Sequence, residues 1–480
     1  MTAALTEPPE ELATPLRRGS VNIAEAAFQS FSYVAPAGDV SILLLGTALY
    51  ALGATPLAVI IAWLIYGLWM VTPIEFSKII ANSGSYYAYS AQGLRGGGVL
   101  ALFYWLGENL TGPAFGVLGL GSFVYLLFAT LAKTSWAWAP IALATLLFGV
   151  VLSYRGVRPS LKFTLIAGSI EAAFLIVSAL VIIAEVGKGN SASAFTLSPL
   201  HGDLHPLFLA VIFSILDFTG LGTATTLSEE AKESKRRMQY ALWVGWLVSG
   251  IALIIPAYAL TVGWGITKMS SYATSPDPGL IVYRHYLGPI GWGILIAVTM
   301  TSYLSYMVAK VNAVTRIWFS GGRDGIFYRR IQGVHPHFRT PSQAVVAFAI
   351  VLVVINGIAG IVLGPANGAL WLLTISGVCI IGVHVVANTA LTAYKVRNGG
   401  FNAFVHGVIP TVSSLIGLVV IYYSVYPIPS GAIGKAVIVS IAWLVVGFGV
   451  MAYYIWRHPD LLRLAGRSRD REESAPSDAA

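Results

Sequence analysis

The sequence predicts an all-α integral membrane protein of twelve transmembrane helices, and three observations carry that expectation. Hydrophobic residues make up 56% of the 480 residues and charged residues 10%, against roughly 45–50% and 25% in soluble domains. Twelve apolar segments reach about 20 residues, enough to span a bilayer at 1.5 Å per residue. The basic residues gather in alternate loops, so the net charge of +8 reports orientation in a membrane rather than nucleic-acid binding.

Segments 1 to 12 run Ala26–Leu52, Pro56–Phe76, Gly98–Leu131, Trp136–Tyr154, Leu161–Val186, Pro206–Leu227, Tyr240–Trp264, Pro289–Phe319, Pro341–Leu363, Ala369–Tyr394, Phe404–Tyr426 and Ile433–Trp456. One side collects Arg17 and Arg18, then Lys78 and Arg95, Arg155, Arg158 and Lys162, and Lys232 with Lys235 to Arg237. The same side continues with Arg316, Arg323, Arg329, Arg330 and Arg339, then Lys395, Arg397 and a basic tail from Arg457. The other side has Lys133, Lys188, Lys268, Arg284 and Lys435. By the positive-inside rule both termini are cytoplasmic in the cell membrane. The N-terminal stretch has no early apolar core of a cleaved signal, so the first segment is expected to direct insertion. The lone Cys379 excludes an intramolecular disulfide.

Two segments are interrupted. Segment 1 contains FSYVAPAGDVSILL, where Pro36 lacks a backbone donor and Ala35, Ala37 and Gly38 are small enough to let the helix unwind. Segment 6 contains LDFTGLGTATT, with Gly220, Gly222 and Asp217 in mid-segment. A break at membrane depth is tolerated only where protein or water lines it. Two such breaks, five segments apart, point to an inverted-repeat transporter with its site where the broken helices meet. Half-helix N-termini there suit a carboxylate and freed carbonyls an ammonium or a metal ion, which together describe a zwitterion.

Three stretches carry a family resemblance. NSGSYYAYSAQGLRGGGVLALFYW, Asn82 to Trp105, is similar to a Gly-x-Tyr-x-Tyr segment leading through a glycine-rich loop into helix 3. FTGLGTATTLSEEAKESKRR, Phe218 to Arg237, resembles a broken helix 6 with a Glu-Glu and basic tail. NAVTRIWFSGGRDGIFYRRIQGVHPHFRTP, Asn312 to Pro341, resembles an Arg-Asp-Gly loop ending in Thr-Pro. From about Ile23 to Tyr394 the chain resembles amino acid permeases of the amino acid-polyamine-organocation superfamily. The resemblance implies a LeuT-like fold, with a five-plus-five inverted repeat over 23–396, broken helices 1 and 6, and two additional helices over 397–458. Residues 1–22 and 459–480 are then cytoplasmic tails, the second disordered. The chain departs from the family pattern at PAGD in helix 1, at Glu233-Ser234 where Asn-Pro is usual, at Tyr328 after the Arg-Asp-Gly loop, and at Leu216, where many relatives carry a gating aromatic.

The resemblance implies a secondary active transporter that moves amino acids by alternating access, not an enzyme. An amino acid or polyamine exchanger stays open beside a symporter. Its substrate would lie among Ala35, Pro36, Ala37, Gly38, Tyr104, Glu108, Gly112, Phe218, Gly220, Leu221 and Ser376. Intramembrane acids are functional hypotheses by default. Glu171, mid-segment 5, stands where some proton-coupled relatives carry a lysine, and a buried carboxylate suits a group that exchanges a proton near neutral pH. Asp39 and Asp217 are further coupling candidates, and with Glu108 they bias the site toward cations, including basic amino acids and polyamines. Asp39 alternatively caps the resumed half-helix. Thr301 and Ser302 resemble the hydroxyl pair of a sodium site, so proton and sodium coupling both stand, with back-bonding to their own helix as the plain alternative. No other cofactor is expected. The partners expected are an amino acid substrate and the lipid bilayer, with no nucleic acid and with monomer and homodimer both open.

Overall fold

The computed structural model describes residues 16–128, 136–428 and 430–467. Lys133, the end of segment 3, most of the N-terminal tail and the tail beyond 467 lie outside the described residues. Each of the twelve apolar segments is helical within its described residues. Among the described residues, nine helical stretches are long and apolar enough to cross a membrane, and a shorter apolar helix covers Trp138–Tyr154.

Segment 1 is broken, but at a single residue. The helix Ile23–Val34 ends at Ala35, which adopts a left-handed conformation with φ 62° and ψ 57°. A residue before proline is pushed out of the α region, and a non-glycine in the left-handed region costs of order 1–3 kcal/mol. The chain resumes at Pro36–Gly38, passes through a π-helical turn at Asp39–Leu43 and continues as Leu44–Ala51. Segment 6 opens wider. The helix Leu204–Leu216 gives way to turns, Gly220 takes φ 100°, and a 3-10 helix Leu221–Leu227 follows. The two broken helices run side by side, Ile23–Val34 against Leu221–Leu227 and Leu44–Ala51 against Leu204–Leu216.

Around this pair the other helices close. Segment 10 (Pro365–Asn398) packs along segment 3 (Gly97–Leu127), and segment 7 (Ser234–Trp264) lies against segments 2 and 5. Trp63 and Trp246 stack with centroids 4.1 Å apart, and each indole N–H donates to the other's carbonyl at 3.0 Å. Gly250 and Gly67 make room, since a Cβ at Gly250 would lie 2.2 Å from the Trp63 ring and one at Gly67 2.9 Å from the Trp246 ring. The helix through segment 8 begins at Pro278 and bends at Gly288, the point from which the apolar segment is counted.

The three resemblance stretches meet on one face. Arg316 makes a bidentate pair with Glu230, both buried, and Arg323 pairs with Glu229 at 3.0 Å through both of its amino groups. Ser83 N–H also donates to Glu229, and Ser320 Oγ donates to Asn82. Ser20 and Val21 N–H donate to the Glu230 carbonyl, tying the chain's entry to the same point. Burial pushes the Glu230 carboxyl above the ordinary range, and the adjacent Arg316 opposes that rise.

The C-terminal tail departs from expectation. Residues 459–467, read as disordered, form a helix Pro459–Leu464 and then dock: Gly466 N–H donates to Asp324 at 2.7 Å, and Ala465 is buried. A Cβ at Gly466 would lie 2.7 Å from the Ala88 carbonyl, so the glycine lets the tail approach that closely.

Breaking a buried ion pair from one side costs about 3–5 kcal/mol, whereas replacing both partners by apolar residues is often neutral. Arg316→Leu should therefore lower the melting temperature of the detergent-solubilised protein sharply, and Arg316→Leu/Glu230→Leu should restore most of the loss, as followed by tryptophan fluorescence.

Candidate functional site

The break in segment 6 leaves backbone groups that side chains of other segments satisfy. Tyr66 Oη accepts from Gly220 N–H at 3.0 Å. Ser30 Oγ donates to the Leu221 carbonyl at 2.7 Å and accepts from Ala224 N–H at 3.1 Å. Phe218 is fully buried, and Leu216 packs on Gly377, where a Cβ would meet the leucine at 3.0 Å.

At the break in segment 1, Glu171 does the corresponding work. One carboxylate oxygen accepts from Ala37 N–H at 2.8 Å and from Ser302 Oγ at 2.6 Å. The acid thus joins segments 1, 5 and 8, and its second oxygen is buried without a partner among the described residues. Thr299, absent from the sequence reading, completes this cluster: its hydroxyl donates to the Ala37 carbonyl at 3.3 Å and bonds Ser41 Oγ at 2.8 Å. Thr301 stays outside. It is exposed and bonds the Ala297 and Val298 carbonyls of its own helix, so the hydroxyls of the Ala37–Glu171 cluster are Ser302, on Glu171, and Thr299, on Ala37, one helical turn apart rather than adjacent.

Asp39 does not cap the resumed helix. Ala35 holds the cap position with no side-chain bond, and Asp39 lies within the helix beyond it, its Oδ2 buried and unpartnered among the described residues. Asp217 likewise keeps a buried oxygen without a partner among the described residues. The Gly38 amide donates to the Ala35 carbonyl at 2.9 Å because the helix restarts so soon.

Glu108, Gly112 and Ser376 come together around a residue that sequence reading missed. Lys310 of segment 8 places Nζ 2.5 Å from Glu108 Oε1, with both side chains at most 4% exposed. Tyr33, two residues before the Ala35 break, donates its hydroxyl to Glu108 at 3.0 Å, and its ring lies 3.8 Å from Lys310 Nζ. A Cβ on Gly112 would lie 2.7 Å from Glu108 Oε1, 2.9 Å from Lys310 Nζ and 2.9 Å from Ser376 Oγ. A cation inside LSYMVAKVNAV was itself the available signal, since a lysine in an apolar segment calls for a partner there. Tyr104 is not part of this assembly: its hydroxyl donates to the Leu444 carbonyl, facing segment 12.

A cavity of about 470 Å³ lies by the start of the helix Pro278–Arg323, the end away from Arg316. Asp277 and Arg284 stand among its lining, with Phe115, Gly119, Ser41 and Tyr303. The Tyr303 ring lies against Gly38, where a Cβ would approach to 3.3 Å. Tyr306 sits one turn deeper and donates to the Gly112 carbonyl at 2.7 Å. The cavity therefore reaches segment 1 at Ser41, just past its break.

Gly220 tests the geometry of the break. A Cβ there would sit 1.8 Å from Tyr33 Cδ1 on a backbone with φ 100°. The backbone term alone costs of order 1–3 kcal/mol. Gly220→Ala should lose most monodisperse protein in fluorescence-detected size-exclusion chromatography, while Thr301→Val should leave the profile unchanged.

Comparison with known proteins gives this geometry a context. The low-affinity putrescine importer PlaP of Escherichia coli strain K12 is 24% identical over 297 residues, 60% of this chain and 64% of its own length, so the match spans just under two thirds of that relative. The methylthioribose transporter of Bacillus subtilis strain 168 is 26% identical over 432 residues, 85% of this chain and 88% of its own length. An uncharacterized transporter of Rhizobium meliloti, R00093, is 26% identical over 211 residues, 43% of this chain and 44% of its own. Residues 26–462 match the family described as amino acid permease. The chain therefore belongs to the amino acid permease family, a family of transporters rather than enzymes.

Proposed function

We propose that this protein is a secondary active transporter that moves amino acids across the cell membrane by alternating access, as a proton-coupled symporter. The twelve segments are its spans, 1–5 and 6–10 form the inverted repeat, and both termini are cytoplasmic, as the alternation of basic loops supports. The cavity then faces outward, and the Arg316–Glu230 and Arg323–Glu229 pairs close the cytoplasmic side.

The observation that carries the coupling assignment is the position of Glu171. Its carboxylate accepts from Ala37 N–H at the break and from Ser302 on segment 8. Deprotonated, its charged oxygen holds both donors; a proton taken up on the unpartnered second oxygen removes that charge, weakens both bonds and eases segment 1 from segment 8. Those are the elements an alternating-access cycle moves against each other. Proton uptake is thereby linked to the element that contacts substrate. A sodium-coupled reading has its own support in the oxygens of Ala37, Ser41, Thr299 and Ser302, which gather at the same place.

Proteoliposomes with an imposed inward proton gradient and no sodium should accumulate a zwitterionic amino acid. Glu171→Gln should abolish gradient-driven uptake while leaving counterflow exchange measurable, and Thr301→Val should behave as the parent. Gradient-driven uptake undiminished in Glu171→Gln would overturn the assignment, and strict dependence on external sodium would favour the second reading. A thermal-shift screen against amino acids and polyamines, with and without sodium, identifies the ligand.

A further inference from the structure

We propose that Lys310 is a tethered cation that fills the subsite where a second ammonium of the substrate would pair with Glu108, restricting the transporter to zwitterions without a basic side chain. This inference rests on the reading of the protein as an amino acid transporter. It runs against the bias toward polyamines that the count of intramembrane acids suggests.

The groups around Lys310 Nζ are those that would recognise an alkylammonium. A carboxylate oxygen lies 2.5 Å away, one tyrosine ring centroid at 3.8 Å and a second, Tyr306, at 5.0 Å. A carboxylate flanked by aromatic faces is a strong cation site once desolvated. Tyr33 Oη donates to both oxygens of Glu108, at 3.0 and 3.2 Å, and holds the carboxylate toward the lysine. The three elements of the cage come from segments 1, 3 and 8, and Ser376 of segment 10 closes on it across Gly112.

The lysine occupies this cage intramolecularly, so a free diamine competes with a cation that pays no association entropy. Displacing it would leave a second buried charge within a few ångströms, which the low dielectric opposes. The remaining acids do not supply a second cation site of this kind. Glu171 is engaged by Ala37 and Ser302, and Asp39 and Asp217, with unpartnered oxygens near the break, suit the one α-ammonium of a zwitterion.

The test compares binding and uptake of neutral amino acids, lysine, ornithine and putrescine by the parent, Lys310→Met, Lys310→Arg and Lys310→Met/Glu108→Gln. In the parent, lysine and putrescine should neither be taken up nor compete with a neutral substrate. Lys310→Met, checked for a monodisperse profile, should gain affinity for lysine or putrescine of at least about tenfold in thermal-shift titrations. That gain should be absent in Lys310→Arg and in the double variant. Transport of putrescine or lysine by the parent would overturn the proposal even if no variant folds, as would a folded Lys310→Met that gains no cation binding. Failure of the transporter reading is separately visible, as a parent that binds no amino acid while Lys310→Met still gains cation affinity.

Discussion

Backbone polar groups released inside an apolar bundle must find partners, and that constraint organises the centre of this protein. Opening segments 1 and 6 frees amides and carbonyls in a medium where each unsatisfied group costs several kcal/mol. The protein meets the requirement with side chains from elsewhere: Glu171 and Thr299 at Ala37, Tyr66 at Gly220, Ser30 at Leu221 and Ala224. These residues look in sequence like unrelated polar intrusions. In space they are the reason the breaks are tolerated, and they tie segments 1, 2, 5, 6 and 8 to one region.

The same economy governs the buried charges. Lys310 and Glu108 neutralise each other where either alone would be costly, and Tyr33 adds a hydroxyl and a ring to the pair. At the other end of the bundle Arg316 and Glu230 do likewise, with the entry of the chain hydrogen-bonded to the Glu230 carbonyl. The two pairs differ in setting. One joins segments 3 and 8 beside Tyr33 of segment 1, and the other joins the loop after segment 6 to the end of segment 8.

Much of the fold was legible because membrane insertion constrains sequence strongly. Apolar length placed the helices, and the two interruptions located the centre, since glycine, proline and acids rarely coexist in mid-segment without a structural reason. Particular residues escaped. Thr301 and Ser302 were read as a pair because they are adjacent, yet adjacent helical residues point about 100° apart, and only Ser302 faces Glu171. Tyr104 shares segment 3 with Glu108 and Gly112 but lies on the face turned toward segment 12.

By itself the sequence determined that the chain is a bundle of membrane helices, that its first and sixth segments are interrupted, and that it resembles the permease family. These follow from composition, periodicity and local backbone chemistry, which are properties of short stretches. Tertiary structure alone decided that Lys310 meets Glu108, that the Glu229-Glu230 pair answers Arg323 and Arg316, and that Glu171 accepts from the Ala37 amide. Each of those contacts joins residues more than eighty positions apart, and the partner of a buried charge or a freed amide is chosen by helix packing, which no local stretch encodes.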